Sequence, residues 1–142
     1  MADTSSVTTL LEQIARRFEN ALNSRDFSTT SSAWDFMAPQ FRGEAEYVEP
    51  PKTLSLAELM DVLKQLVTIF PDWHLRVVSM TTSVRELTGT AEVFMHVETT
   101  GAPPGITKEG VGILEFQRTD KGSWLVVRHR SAAGLDMVAT GA

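Results

Sequence analysis

A chain without a single cysteine must do any chemistry with imidazole, carboxylate, hydroxyl or amide groups,. The densest candidate is the stretch from Trp124 to Ser131. Strand alternation puts Trp124, Val126, Arg128 and Arg130 on one side and Leu125, Val127, His129 and Ser131 on the other,. His129 thus ends an apolar row, where its charged form is disfavoured and it stands as a neutral base near pH 7. The plainer reading is a buried histidine bonded to backbone and serving packing alone. Arg128 and Arg130, on the opposite side, suit a subunit contact or solvent, since two desolvated cations without carboxylates are costly.

A second candidate is His96 with Glu98, which share one strand face with Glu92 and Phe94, opposite the apolar row Ala91, Val93, Met95 and Val97. Turned towards a cavity, they form an acid-base pair, or Glu98 acts alone. Turned towards water, they are surface residues, and a one-residue slip of register decides between the two. Trp34, Phe36, Tyr47, Trp73 and Phe94 are the aromatics expected to line a ligand cavity, and the hydroxyl of Tyr47 could polarise a carbonyl,. Three histidines without i, i+4 spacing predict no metal site. Gly110 and Gly112 fall inside a strand pattern, so they form no phosphate loop, and no cofactor is expected. There is no nucleophile elbow.

The elements that must position these residues read as helices first and strands afterwards. Leu11, Ile14, Phe18 and Leu22 predict a helix from about Thr9 to Ser24, with a capping box at Thr9 and Glu12,. A shorter helical piece is expected from Ser31 to Met37, stopping before Pro39. A strand should follow from Phe41 to Val48, ended by Pro50 and Pro51. Ser55 and Glu58 form a second capping box before the stripe Leu56, Met60, Leu63, Val67 and Phe70, and Pro71 stops that helix,. Four strands are expected over 73–84, 88–99, 107–118 and 123–131, joined by short turns that suit antiparallel neighbours. Residues 1–8 and 133–142 are expected to be flexible. At 142 residues, with 42% hydrophobic and 22% charged residues, one α+β domain with helices on one face of a curved sheet accounts for the whole chain,. A formal charge of -5 and a pI near 5.1 speak against nucleic acid,. The start lacks a signal-peptide pattern and no run approaches the roughly 18 apolar residues of a membrane span, so a cytoplasmic protein with no membrane partner is expected.

The order of elements resembles the nuclear-transport-factor-2-like (NTF2-like) cone and, within it, the SnoaL-like polyketide cyclases and isomerases. The likeness is carried by Met37 to Arg42, by Phe70 to Val77, and by Asp120 to Val127. It implies N-terminal helices packed on a curved, mostly antiparallel sheet, with a deep apolar pocket on the concave face and a homodimer through the outer sheet face. In scytalone dehydratases of that group, catalytic aspartate and histidine positions correspond to Asn23, Ser79 and Glu98 here, so that enzyme's own mechanism is not expected. The resemblance implies a cofactor-independent acid-base isomerase or cyclase in secondary metabolism, acting on a small hydrophobic polyketide or terpenoid intermediate. Catalysis would lie with His129, His96 and Glu98, and substrate contact with Asn23, Trp34, Phe36, Tyr47, Trp73, Phe94 and Ser131. The same fold also serves as a non-catalytic ligand-binding or dimerisation module, and the same groups would serve a dehydratase or an epoxide hydrolase.

Overall fold

A computed structural model describes residues 4–45 and 52–132. Helix α1 (Thr4–Asn23) is followed by a single 3-10 turn (Ser32–Trp34) and strand β1 (Met37–Ala45). The short strand β2 (Lys52–Leu54) leads into helix α2 (Leu56–Ile69), and β3 (His74–Arg85), β4 (Thr90–Thr100), β5 (Thr107–Arg118) and β6 (Trp124–Ala132) complete the order. The six strands form one sheet in the order β2-β1-β6-β5-β4-β3, antiparallel except for the β1:β6 pair.

Helix α1 starts five residues earlier than the sequence pattern suggests. Val7 extends the apolar stripe by one turn and is buried with Leu11, Ile14, Ala15, Phe18 and Leu22,. Residues 4–8 are therefore helical, which corrects the flexibility expected of 1–8. Thr9 lies inside the helix, where its hydroxyl donates to the Ser5 carbonyl, so it caps nothing,. The second capping box is present as expected: Glu58 N–H donates to Ser55 Oγ, and the Glu58 carboxylate accepts from Ser55 N–H.

Polar side chains on α1 fix the helix along β3, an edge strand of the sheet. The Asn23 side chain accepts from Leu75 N–H at 2.9 Å and donates to the Leu75 carbonyl at 2.7 Å. Glu19, itself buried, accepts from Val77 N–H at 2.6 Å, and Arg16 donates to the Val77 carbonyl at 3.0 Å. Past the end of the helix, Arg25 adopts a positive φ of 63° and donates to the carbonyls of Pro71 and Trp73. Farther towards the helix start, Thr82 donates to Glu12.

Two interruptions of register fall in the antiparallel pairs. One falls at Val78, between the Val77↔Val97 and Ser79↔His96 pairs. The other falls at Val127, because Glu115 pairs with Arg128 while Phe116 pairs with Val126. Each inserts one residue and shifts side-chain phase, which bends the strand. The inner face, covered by α1, carries Ala91, Val93 and Met95 of β4, Leu114 and Phe116 of β5, and Trp124 and Val126 of β6, all buried.

Candidate functional site

The interruption at Val127 decides where His129 points. Simple alternation puts Trp124 and Val126 on the side of Arg128 and Arg130, but the extra residue returns His129 and Ser131 to the inner face that Trp124 and Val126 already occupy. His129 lies opposite Leu114 on one side and Gly43 on the other. Its ring stacks on Phe18 of α1, with centroids 5.7 Å apart and planes 26° from parallel, and Phe18 is held edge-on by Trp34 at 5.6 Å.

Glycine makes this placement possible at two points. A Cβ on Gly112 would lie 3.5 Å from His129 Nε2 and 3.2 Å from Met95 Cε, so the imidazole leans over a position with no side chain. A Cβ on Gly43 would meet Leu59 of α2 at 3.4 Å, and its absence lets the helix approach the sheet beside His129. No described residue hydrogen-bonds either ring nitrogen. Enclosure by Phe18, Met95 and the sheet withholds solvation from the imidazolium and lowers the His129 pKa to about 4, against a smaller opposing pull from Glu44,. At neutral pH the ring is an uncharged base with a proton acceptor free for a ligand.

Burial along the inner face declines in one direction. On β4 it runs from buried Ala91, Val93 and Met95 to half-buried Val97 and Thr99, and on β5 from buried Phe116, Leu114 and Gly112 to half-buried Gly110 and Lys108. Helix α2 packs beside β1 and β2 and leads into β3. Of its apolar residues only Met60 is fully buried, while Leu59, Leu63, Leu66, Val67 and Phe70 are packed on one side alone. The result is a concave apolar wall with His129 and Ser131 as its polar groups near the centre, an arrangement suited to a small, mostly apolar ligand.

The other residues singled out from sequence fall elsewhere. Ala91, Val93 and Met95 are buried, so His96, Glu98 and Phe94 point to the outer face, which corrects their expected place in the cavity. There His96 lies 3.4 Å from Glu109, and Glu98 pairs with Arg76 at 2.5 Å. Both side-chain groups of Asn23 are taken up by Leu75, so it contacts backbone and not ligand. Trp34, Phe36 and Trp73 are buried core residues, and Trp34 acts on the site only by buttressing Phe18. Tyr47 lies outside the described residues. Sequence reading passed over Phe18 and Gly112 as site residues. The signal for Gly112 was present in a glycine inside a strand pattern, which marks a close approach.

Arg128 and Arg130 do point outward, as expected, and neither is unpaired. Arg130 reaches Glu115 at 2.6 Å and Glu92 at 3.3 Å, Arg128 reaches Glu44 at 3.4 Å, and Arg85 reaches Glu92 at 2.9 Å. Alternating charges thus run from β1 to β3 across the outer face. Among the described residues no group of His, Asp or Glu is arranged to hold a metal ion. No described helix is long and apolar enough to cross a membrane.

No protein-family model and no curated protein sequence matches this chain. Solved structures do match in shape. An NTF2-like protein of unknown function from Pseudomonas putida KT2440 superposes with a TM-score of 0.73 at 12% identity, over 97% of this chain and 94% of that one. A protein of unknown function with a cystatin-like fold from Nostoc punctiforme gives 0.69 at 11% identity, over 92% and 93% of the two chains. A protein of Kribbella flavida gives 0.69 at 15% identity, over 93% of both. At such identities the likeness is one of architecture: this chain has the NTF2-like, cystatin-type α+β fold, two helices on a curved six-stranded sheet.

Proposed function

We propose that the chain is a cofactor-independent isomerase or cyclase of the SnoaL-like kind, acting on a small, largely apolar metabolite of polyketide or terpenoid type. The observation that carries this reading is His129: an uncharged imidazole on the inner wall, stacked on Phe18, with no described hydrogen-bond partner and with Gly112, which has no side chain, beside Nε2. Such a base takes a proton from carbon next to a carbonyl, leaving an enolate, and returns it at another carbon; or the enolate carbon attacks a second carbonyl of the same substrate, whose C=O π bond opens as the C–C bond forms and whose oxygen takes the proton back from the imidazolium. The apolar wall fixes the reactive conformer, and Ser131 on the same face supplies a hydroxyl for the developing oxyanion,. Dehydration or epoxide opening would call on the same base.

The experiment is a metabolite comparison between a strain lacking the gene and its parent, with complementation by the natural chain and by His129→Gln. One cyclised or rearranged product should vanish on deletion and return only with the natural chain. Full recovery with His129→Gln removes His129 from the mechanism.

A small hydrophobic metabolite is the proposed partner inside, and a second copy of the chain is the proposed partner outside. The outer sheet face supports the latter with exposed Val78 and Val111 among its paired charges. Sedimentation should report a dimer that Val111→Glu dissociates, and a monomeric natural chain would reject the contact. Cytoplasmic residence belongs to the same proposal.

A further inference from the structure

Two rows beyond Gly112, at the open end of the concave wall, β5 turns a cation inward. Lys108 pairs with Thr99 in a register that runs unbroken from Thr90↔Gln117 to Thr100↔Thr107, so it shares the inner side with Gly110 and Gly112. Exposure agrees: Lys108 and Gly110 are half-buried, while their neighbours Thr107, Glu109 and Val111 are exposed. The other described cations near the inner wall are engaged. Arg16 binds Glu19 and the Val77 carbonyl, Arg25 binds the carbonyls of Pro71 and Trp73, and Arg118 binds Glu86 and lies over Trp124. Lys108 has no ion-pair partner among the described residues.

Between Lys108 and the imidazole the sheet wall carries the Ser131 hydroxyl, opposite Gly112, and is otherwise apolar among the described strand residues. Gly110 and Gly112 offer no side chain, and Val97 and Met95 flank them on β4. Four strand steps lead from Lys108 to Gly112, a span of roughly 13 Å. A half-buried lysine at one end of an apolar trough and a neutral base at the other define a ligand with unlike ends. We propose that Lys108 anchors the anionic end of the ligand, so that the natural substrate is an amphipathic acid whose carboxylate sits at the rim while its apolar body reaches His129. This rests on the reading of the concave wall as a ligand pocket, and adds the substrate's charge and orientation.

The matched probes 5-phenylvalerate and 5-phenylpentan-1-ol differ only in carrying a carboxylate or a hydroxymethyl group. Titration calorimetry at low salt should show the acid binding roughly three- to tenfold more tightly than the alcohol, the range of a partly screened ion pair. Lys108→Gln should abolish that preference by weakening the acid alone, leaving the alcohol's Kd as it was. His129→Gln should keep the preference, because the carboxylate is at the rim. An acid preference absent from the natural chain, surviving Lys108→Gln or lost in His129→Gln overturns the anchor, while alcohol binding leaves the pocket standing. If neither probe binds and neither shields His129 from carbethoxylation by diethyl pyrocarbonate, the pocket falls and the anchor with it.

Discussion

Replacing His129 by Gln should make the protein's stability less sensitive to acid. Holding the imidazole at about 4, where the unfolded chain has about 6.5, corresponds to about 3 kcal/mol of preference for the neutral ring in the fold,. The unfolded chain takes up this proton as pH falls below 6.5, and the folded chain does so only near 4. Stability is therefore fully present above 6.5, falls by about 1.4 kcal/mol per pH unit between the two values, and levels off below 4. From pH 8 to pH 5 the natural chain should lose about 2 kcal/mol on account of this residue alone. The structural cause is enclosure by Phe18, Met95 and the strand backbone, which outweighs the smaller pull of Glu44 towards the charged form. Urea denaturation followed through the three buried tryptophans, Trp34, Trp73 and Trp124, measures the effect at both pH values for the natural chain and His129→Gln,. Carboxylates titrating in the same range cancel in the double difference. Equal losses in the two proteins, or an imidazole proton resonance of His129 that titrates near 6.5, would refute the argument.

Further outcomes follow from other contacts. Gly112→Leu should protect His129 from carbethoxylation at pH 6 by crowding Nε2 and Met95, and mass spectrometry of the modified peptide reads this directly. Gly101 has φ +87° and a Cβ there would run into the Asp72 carbonyl, so Gly101→Ala should cost about 2 kcal/mol or more in urea denaturation,. Asn23→Leu removes both bonds to Leu75 and should cost about 2 kcal/mol, while Arg130→Ala on the outer face should cost less than about 1 kcal/mol, a difference that salt diminishes,.

How much of this was legible beforehand depended on whether the physical cause lay within a few residues. The cap at Ser55 and Glu58 is a contact between neighbours, and both ends of α2 follow from it and from Pro71. The strands β3 to β6 were placed to within two residues, because alternation and turn glycines are also local. Strand β2 escaped, since three residues of Lys, Thr and Leu carry no period, and its existence depends on pairing with β1. The inserted residue at Val127 leaves no mark of its own. Its trace was a contradiction, in that Trp124 and Val126 want burial while Arg128 and Arg130 want water, yet an unbroken strand turns all four the same way,. His96 and Glu98 could not be oriented from β4 alone, because both faces carry an aromatic or apolar residue. The packing of α1 selects the one that is buried.

The polar side chains that fix α1 to β3 also settle the fate of an open sheet edge. Leu75 and Val77 hold backbone groups that β4 does not use, and an unpaired row of that kind is a template for a foreign strand,. Asn23, Glu19 and Arg16 occupy it with groups that imitate a neighbouring strand while belonging to a helix, which no further strand can extend. Protection against aggregation at this edge is thus built into the helix register, and variants of these three residues should be watched for fibrils as well as for lost stability.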